Sequence, residues 1–110
     1  MESTAEQRYA KIVATLLRES GVTLGSRTKG FGSAALKINN KIFAMLSSKQ
    51  EFVIKLPKQR VDTLAASGSG VRFDPGHGRL MKEWLAVKPD SAESWLALAR
   101  EAMRFVASKR

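Results

Sequence analysis

Cysteine is absent from the 110-residue chain. No disulfide can form, no thiol can act as a nucleophile, and no thiolate zinc site can be built. That absence fits a reducing compartment. Histidine occurs once, as His77, so two histidines cannot share a metal within one chain. No apolar run approaches the roughly 18 residues that mark a membrane span. The opening Met1-Glu2-Ser3-Thr4-Ala5-Glu6 is acidic and polar, unlike a secretory signal. A cytoplasmic protein with no membrane association, no metal and no cofactor is the expectation.

Acidic residues are also scarce, 10 against 19 lysines and arginines, which leaves a net charge of +9. The excess is uneven: residues 1–30 carry +2, residues 31–60 carry +5, residues 61–90 are neutral and residues 91–110 carry +2. A surplus of this kind favours polyanionic partners, and it also serves simply to keep a surface solvated. Hydrophobic residues make up 44% of the chain, enough for one core at a length that matches a single domain.

The hydrophobic pattern predicts an α+β fold in the order α-β-β-β-α-β-β-α, with an antiparallel sheet and flanking helices. Ser3 or Thr4 can cap a first helix whose core face carries Tyr9, Ile12, Val13, Leu16 and Leu17. Residues 23–32 then read as a glycine-containing loop. Leu36-Lys37-Ile38 and Lys41-Ile42-Phe43-Ala44-Met45 flank Asn39-Asn40, a pair suited to a type I′ hairpin turn. A two-residue turn sets Leu36 opposite Phe43, with Leu36, Ile38, Phe43 and Met45 on the core face and Lys37, Ile42 and Ala44 on the other.

Residues 51–56 alternate as a third strand. Pro57 begins a short helix, and Ser67-Gly68-Ser69-Gly70 ends it. Residues 71–73 and 81–87 read as strands around a loop. Asp90 and Glu93 form a capping box for a last helix with an apolar stripe of Trp95, Leu98, Ala99, Ala102, Phe105 and Val106.

Catalytic constellations are hard to assemble from these residues. His77 lies in a loop with Asp74 and Arg79 and has no nucleophile-elbow motif to serve. It reads best as a loop histidine near Asp74. Gly30-Phe31-Gly32-Ser33-Ala34-Ala35 matches the loose dinucleotide fingerprint, yet it follows a helix and leads into a strand, the reverse of the context in which such glycines hold a pyrophosphate. Trp84 and Trp95 read as core anchors. No catalytic residues are assigned.

The lysines of the central segment are the candidate binding residues. Lys37 and Lys55 project from the face opposite the core beside Ile42 and Val53, Lys41 marks the hairpin tip, and Lys49 and Lys58 stand at strand ends. Lysines so arranged can track phosphates, and they also guard sheet edges against aggregation. The apolar neighbours imply partial cover of this face by a helix. Aromatic residues for reading bases are few, Tyr9 looks like core, and only Phe31 is left.

Several stretches resemble a known group of small proteins. They are Lys29-Gly30-Phe31-Gly32 through Leu36, Lys41-Ile42-Phe43-Ala44, Val53-Ile54-Lys55-Leu56-Pro57, Phe73-Asp74-Pro75-Gly76 and Met81-Lys82-Glu83-Trp84. Together with the tryptophan-bearing last helix they are similar to TfoX/Sxy N-terminal domains and the MmcQ/YjbR group, across nearly all of residues 1–110. The resemblance implies one compact α+β domain, an association with DNA binding and transcriptional regulation, and no catalytic residues. TfoX-type regulators carry a further helical domain that this chain, ending at Arg110, does not match.

The resulting expectation is a non-enzymatic domain that binds DNA or another polyanion through Lys37, Lys41, Lys49, Lys55 and Lys58. If about five phosphates are neutralised, log K falls with log salt at a slope of about −4 to −5. The alternative is a protein-interaction module, such as a homodimer, which needs an apolar surface patch.

Overall fold

Thr4 opens the first helix, α1 (Ala5–Leu16), with a complete capping box. Its hydroxyl accepts from the Gln7 backbone N–H at 3.1 Å, and the Gln7 side-chain oxygen accepts from the Thr4 N–H at 3.0 Å. Two donors that a helix start leaves unpaired are thereby used. The computed structural model describes residues 4–25, 35–47, 50–73, 81–89 and 94–108. Along α1 the helical spacing buries Tyr9, Ile12 and Leu16 as the sequence pattern predicts. Leu17 departs from the pattern. It is the C-cap residue, where the helix has ended, and it is exposed.

Gly21, at φ +83°, turns the chain into β1 (Val22–Leu24). This strand was expected to be loop. It has three residues, only one of them buried, so it carries no alternation to read. Its backbone pairing with the next strand defines it: Val22 stands opposite Ile38 and Leu24 opposite Leu36.

The hairpin joins β2 (Leu36–Ile38) to β3 (Lys41–Leu46). Asn39 and Asn40 have φ of 52° and 68°, the two left-handed residues a type I′ turn demands. The register starts as the turn dictates, with Ile38 opposite Lys41 and Lys37 opposite Ile42, and then Leu36 faces Ala44 instead of Phe43. Phe43 is the extra residue of a β-bulge, which resets the alternation beyond it. The expected faces of Ala44 and Met45 are therefore exchanged. Phe43 and Ala44 both enter the core, and Met45 turns to the opposite face, where it is only partly buried.

The remaining elements are β4 (Phe52–Lys55), α2 (Lys58–Ala66), β5 (Gly70–Phe73), β6 (Met81–Val87) and α3 (Trp95–Ser108). Pro57 is the N-cap of α2 rather than its first residue. Ser94 caps α3, its hydroxyl accepting from the Ala97 N–H at 3.0 Å. The expected Asp90–Glu93 box lies outside the described residues. The six strands form one antiparallel sheet in the order β1-β2-β3-β4-β6-β5, so β4 and β5 run parallel on either side of β6. The fold is α+β as expected, with one strand added before the hairpin.

All three helices pack on a single face of this sheet. Tyr9, Ile12 and Leu16 of α1, Val61 and Leu64 of α2, and Trp95, Leu98, Ala99, Ala102 and Val106 of α3 share one core with Leu36, Phe43, Ile54 and Leu85. Phe52 and Trp95 stack with ring centroids 4.7 Å apart, and Tyr9 tilts against Phe52 at 6.1 Å. Among the described residues no helix is long and apolar enough to cross a membrane.

Candidate functional site

The side chains that alternate away from the core belong to the other face of the sheet. Lys37 pairs with Ile42, Val53 with Met45 and Ala86, and Lys55 with Trp84. Residues directly opposite in an antiparallel ladder project to the same side. Lys37, Ile42, Met45, Val53, Lys55, Trp84 and Ala86 therefore share this face. Among the described residues no helix covers this face, since α1, α2 and α3 all pack on the opposite side, yet Val53 and Ala86 on it are buried.

At one end of the sheet β3 and β4 part. Their pairing runs from Leu46 opposite Phe52 to Ala44 opposite Ile54, and the bulge at Phe43 carries the start of β3 away from the end of β4. The parting leaves an open cleft of about 560 Å³ lined by Lys37, Asn40, Lys41, Ile42, Lys55, Trp84 and Val106. The hairpin supplies Lys37, Asn40, Lys41 and Ile42. β4 and β6 supply Lys55 and Trp84 from across the ladder. Val106, a buried residue from the last turns of α3, completes the lining.

Three of the five predicted lysines therefore converge. Lys37, Lys41 and Lys55 line one cleft, and none of them joins an ion pair among the described residues. The Lys55 ammonium stands 5.6 Å from the centroid of the Trp84 ring, within range of a weak cation–π attraction. The stem of Lys37 lies along Gly25, where a β-carbon would come within 3.1 Å of its Cε. The Lys37 ammonium ends beside the same glycine, 3.7 Å from where that β-carbon would stand.

Lys58 is drawn elsewhere. It sits in the first turn of α2 and bonds Asp62 at 3.0 Å, and Arg72 bonds the second oxygen of the same carboxylate. Arg72 first and Lys58 second hold the Asp62 carboxyl below its usual range. Lys49, Phe31 and the Asp74, His77 and Arg79 loop lie outside the described residues.

Trp95 is the core anchor that the sequence implies, 4% exposed, with its Nε1 donating to the Lys88 carbonyl at 3.1 Å. Trp84 is not. It is half-buried and forms a wall of the cleft, a role the sequence reading did not assign. The signal lay in β6, where Trp84 and Ala86 alternate with Leu85 and Val87. Pairing with Lys55 shows which of the two sets faces the cleft. No group of three histidine, aspartate or glutamate residues among the described ones is placed to hold a metal ion.

No family model, curated protein or solved structure matches the chain.

Proposed function

We propose that the domain binds nucleic acid through its phosphates, without catalysis, using Lys37, Lys41 and Lys55. The observation that carries this reading is that three lysines with no ion pair among the described residues line one cleft. Fixed like charges gathered at an open site attract a polyanion and release its counterions. The +5 of residues 31–60 agrees, as does the resemblance to TfoX/Sxy N-terminal domains and the MmcQ/YjbR group. Phosphate contacts position a strand and carry no base sequence by themselves, so the binding is expected to tolerate many sequences.

The alternative, a homodimer or other protein-interaction module, has less to stand on. The large exposed hydrophobics among the described residues are Leu17, Leu24, Ile42 and Val71. Leu24 and Val71 lie on β1 and β5, the two opposite edges of the sheet, so they do not form one patch.

Fluorescence anisotropy with labelled DNA over a series of salt concentrations tests the proposal. Three phosphate contacts give a log–log slope of about −2 on a single strand and about −3 on a duplex. No measurable binding at about 50 mM salt, where such contacts are strong, ends the reading.

A further inference from the structure

The reading above accounts for the lysines and leaves Trp84 without a purpose. An indole is a large apolar group to leave partly in water. Here it lines a cleft together with three lysines and the apolar side chains of Ile42 and Val106. The cleft is about 560 Å³, within the range of roughly 300–1,000 Å³ typical of small-ligand sites. A base pair with both its backbones cannot enter a space of that size. One unstacked nucleotide can.

We infer that the cleft receives one unpaired base of a single strand, stacked on Trp84, with the flanking phosphates on Lys37, Lys41 and Lys55. This inference rests on the nucleic-acid reading and makes it specific to single-stranded substrate. The chemistry is that of single-strand recognition: a basic groove follows the backbone, and an aromatic ring accepts any base because every base has a π-face. Lys55 already occupies the region over the ring, with its ammonium 5.6 Å from the centroid. A base stacking at van der Waals distance displaces that ammonium outward along its flexible stem, toward where a phosphate lies. Asn40 offers an amide with both donor and acceptor at the cleft margin, able to meet a base edge of either kind. One adaptable amide gives weak base preference, so the site selects unpaired bases over sequence.

The test separates base from backbone. The wild-type chain is titrated with a labelled oligothymidine of about 12 nucleotides, with an abasic strand of the same length and charge, and with a duplex. The expected result is that oligothymidine binds about tenfold or more tighter than the abasic strand, the gain one stacked base supplies. Its binding quenches Trp84 fluorescence, with Trp95 shielded in the core. Trp84→Leu brings oligothymidine affinity down to that of the abasic strand measured with the same variant, and Trp84→Phe restores part of the difference.

Equal affinity for oligothymidine and abasic strand overturns the inference while the phosphate reading stands, a comparison that needs no variant to fold. A duplex bound more tightly than the single strand overturns it as well. Failure of every strand to bind removes both readings together.

Discussion

Lys58 Nζ lies 3.0 Å from Asp62 Oδ2, one turn further along α2, and Arg72 closes on the other oxygen of the same carboxylate. This relationship divides five lysines that look equivalent in sequence. Lys58 already has an anion beside it, which any phosphate must displace or approach against repulsion. Lys37, Lys41 and Lys55 have none among the described residues. Replacing any one of these three by alanine is expected to reduce the salt slope of DNA binding by about 0.7 on a single strand or about 0.9 on a duplex. Lys58→Ala is expected to leave the slope nearly unchanged. Anisotropy titrations of the four variants decide the matter, and an equal loss for Lys58→Ala would refute the division.

Gly70 begins β5 against the ladder of β6, and its place admits no side chain. A β-carbon there would stand 2.6 Å from the Ala86 carbonyl oxygen and 3.0 Å from Leu85 Cγ. The first of these is backbone in a paired strand, so β5 must move away. Gly70→Ala is expected to cost about 2–3 kcal/mol. Gly68 provides the contrast: its φ is +83°, and a β-carbon there meets nothing within 4 Å. Gly68→Ala carries backbone strain alone, about 1–2 kcal/mol. Urea denaturation of both variants ranks them, and the steric account fails if Gly70→Ala is the milder.

What could be read from the sequence was local. Ser3-Thr4, Asn39 with Asn40, and the stripe from Trp95 to Val106 declare a helix start, a turn and a buried face within a few residues. What could not be read depends on a partner distant in the chain. β1 exists because β2 offers it a free edge. The bulge at Phe43 exists because a large and a small residue, Phe43 and Ala44, fit the core side by side. Alternation alone assigns Met45 inward. The candidate site shows the same limit. Lysine-rich composition located the segment, but only the folded arrangement puts Lys37, Lys41 and Lys55 on one cleft and pairs Lys58 with Asp62 instead. In β6 both faces are apolar, so the pattern could not tell Trp84 from a core residue.

Trp95 joins several elements of the fold. Its ring stacks on Phe52 at 4.7 Å and 17°, its Nε1 bonds the Lys88 carbonyl, and the Arg8 guanidinium carbon lies 3.6 Å over its centroid. Arg8 also donates to the Pro89 carbonyl at 3.1 Å, tying α1 to the chain leading into α3. Trp95→Ala is expected to cost about 3–5 kcal/mol. Arg8→Ala should cost less, and a double-mutant cycle between the two should return a coupling of about 0.5–1 kcal/mol from the cation over the ring. Additive losses in denaturant titrations would show that the guanidinium contributes nothing through the indole.

Tyr9 is the chain's only tyrosine and is 2% exposed. Burial pushes its phenol well above the usual value of 10.0, and a hydrogen bond from the Leu36 backbone pulls only part of the way back. The folded protein therefore keeps a proton that the unfolded chain releases above about pH 10. The sign follows from that difference. Below about pH 10 the contribution to stability is whole, and it is lost as pH rises from there toward the folded value. Tyr9→Phe removes this loss, and lysine deprotonation affects both proteins alike. The urea midpoint of the wild type is therefore expected to fall more steeply than that of Tyr9→Phe above about pH 10. With a single tyrosine, the near-ultraviolet phenolate signal should appear together with loss of the far-ultraviolet dichroism. A phenolate forming near pH 10 in a chain that is still folded would show that the ring is not sealed by α1 and Phe52.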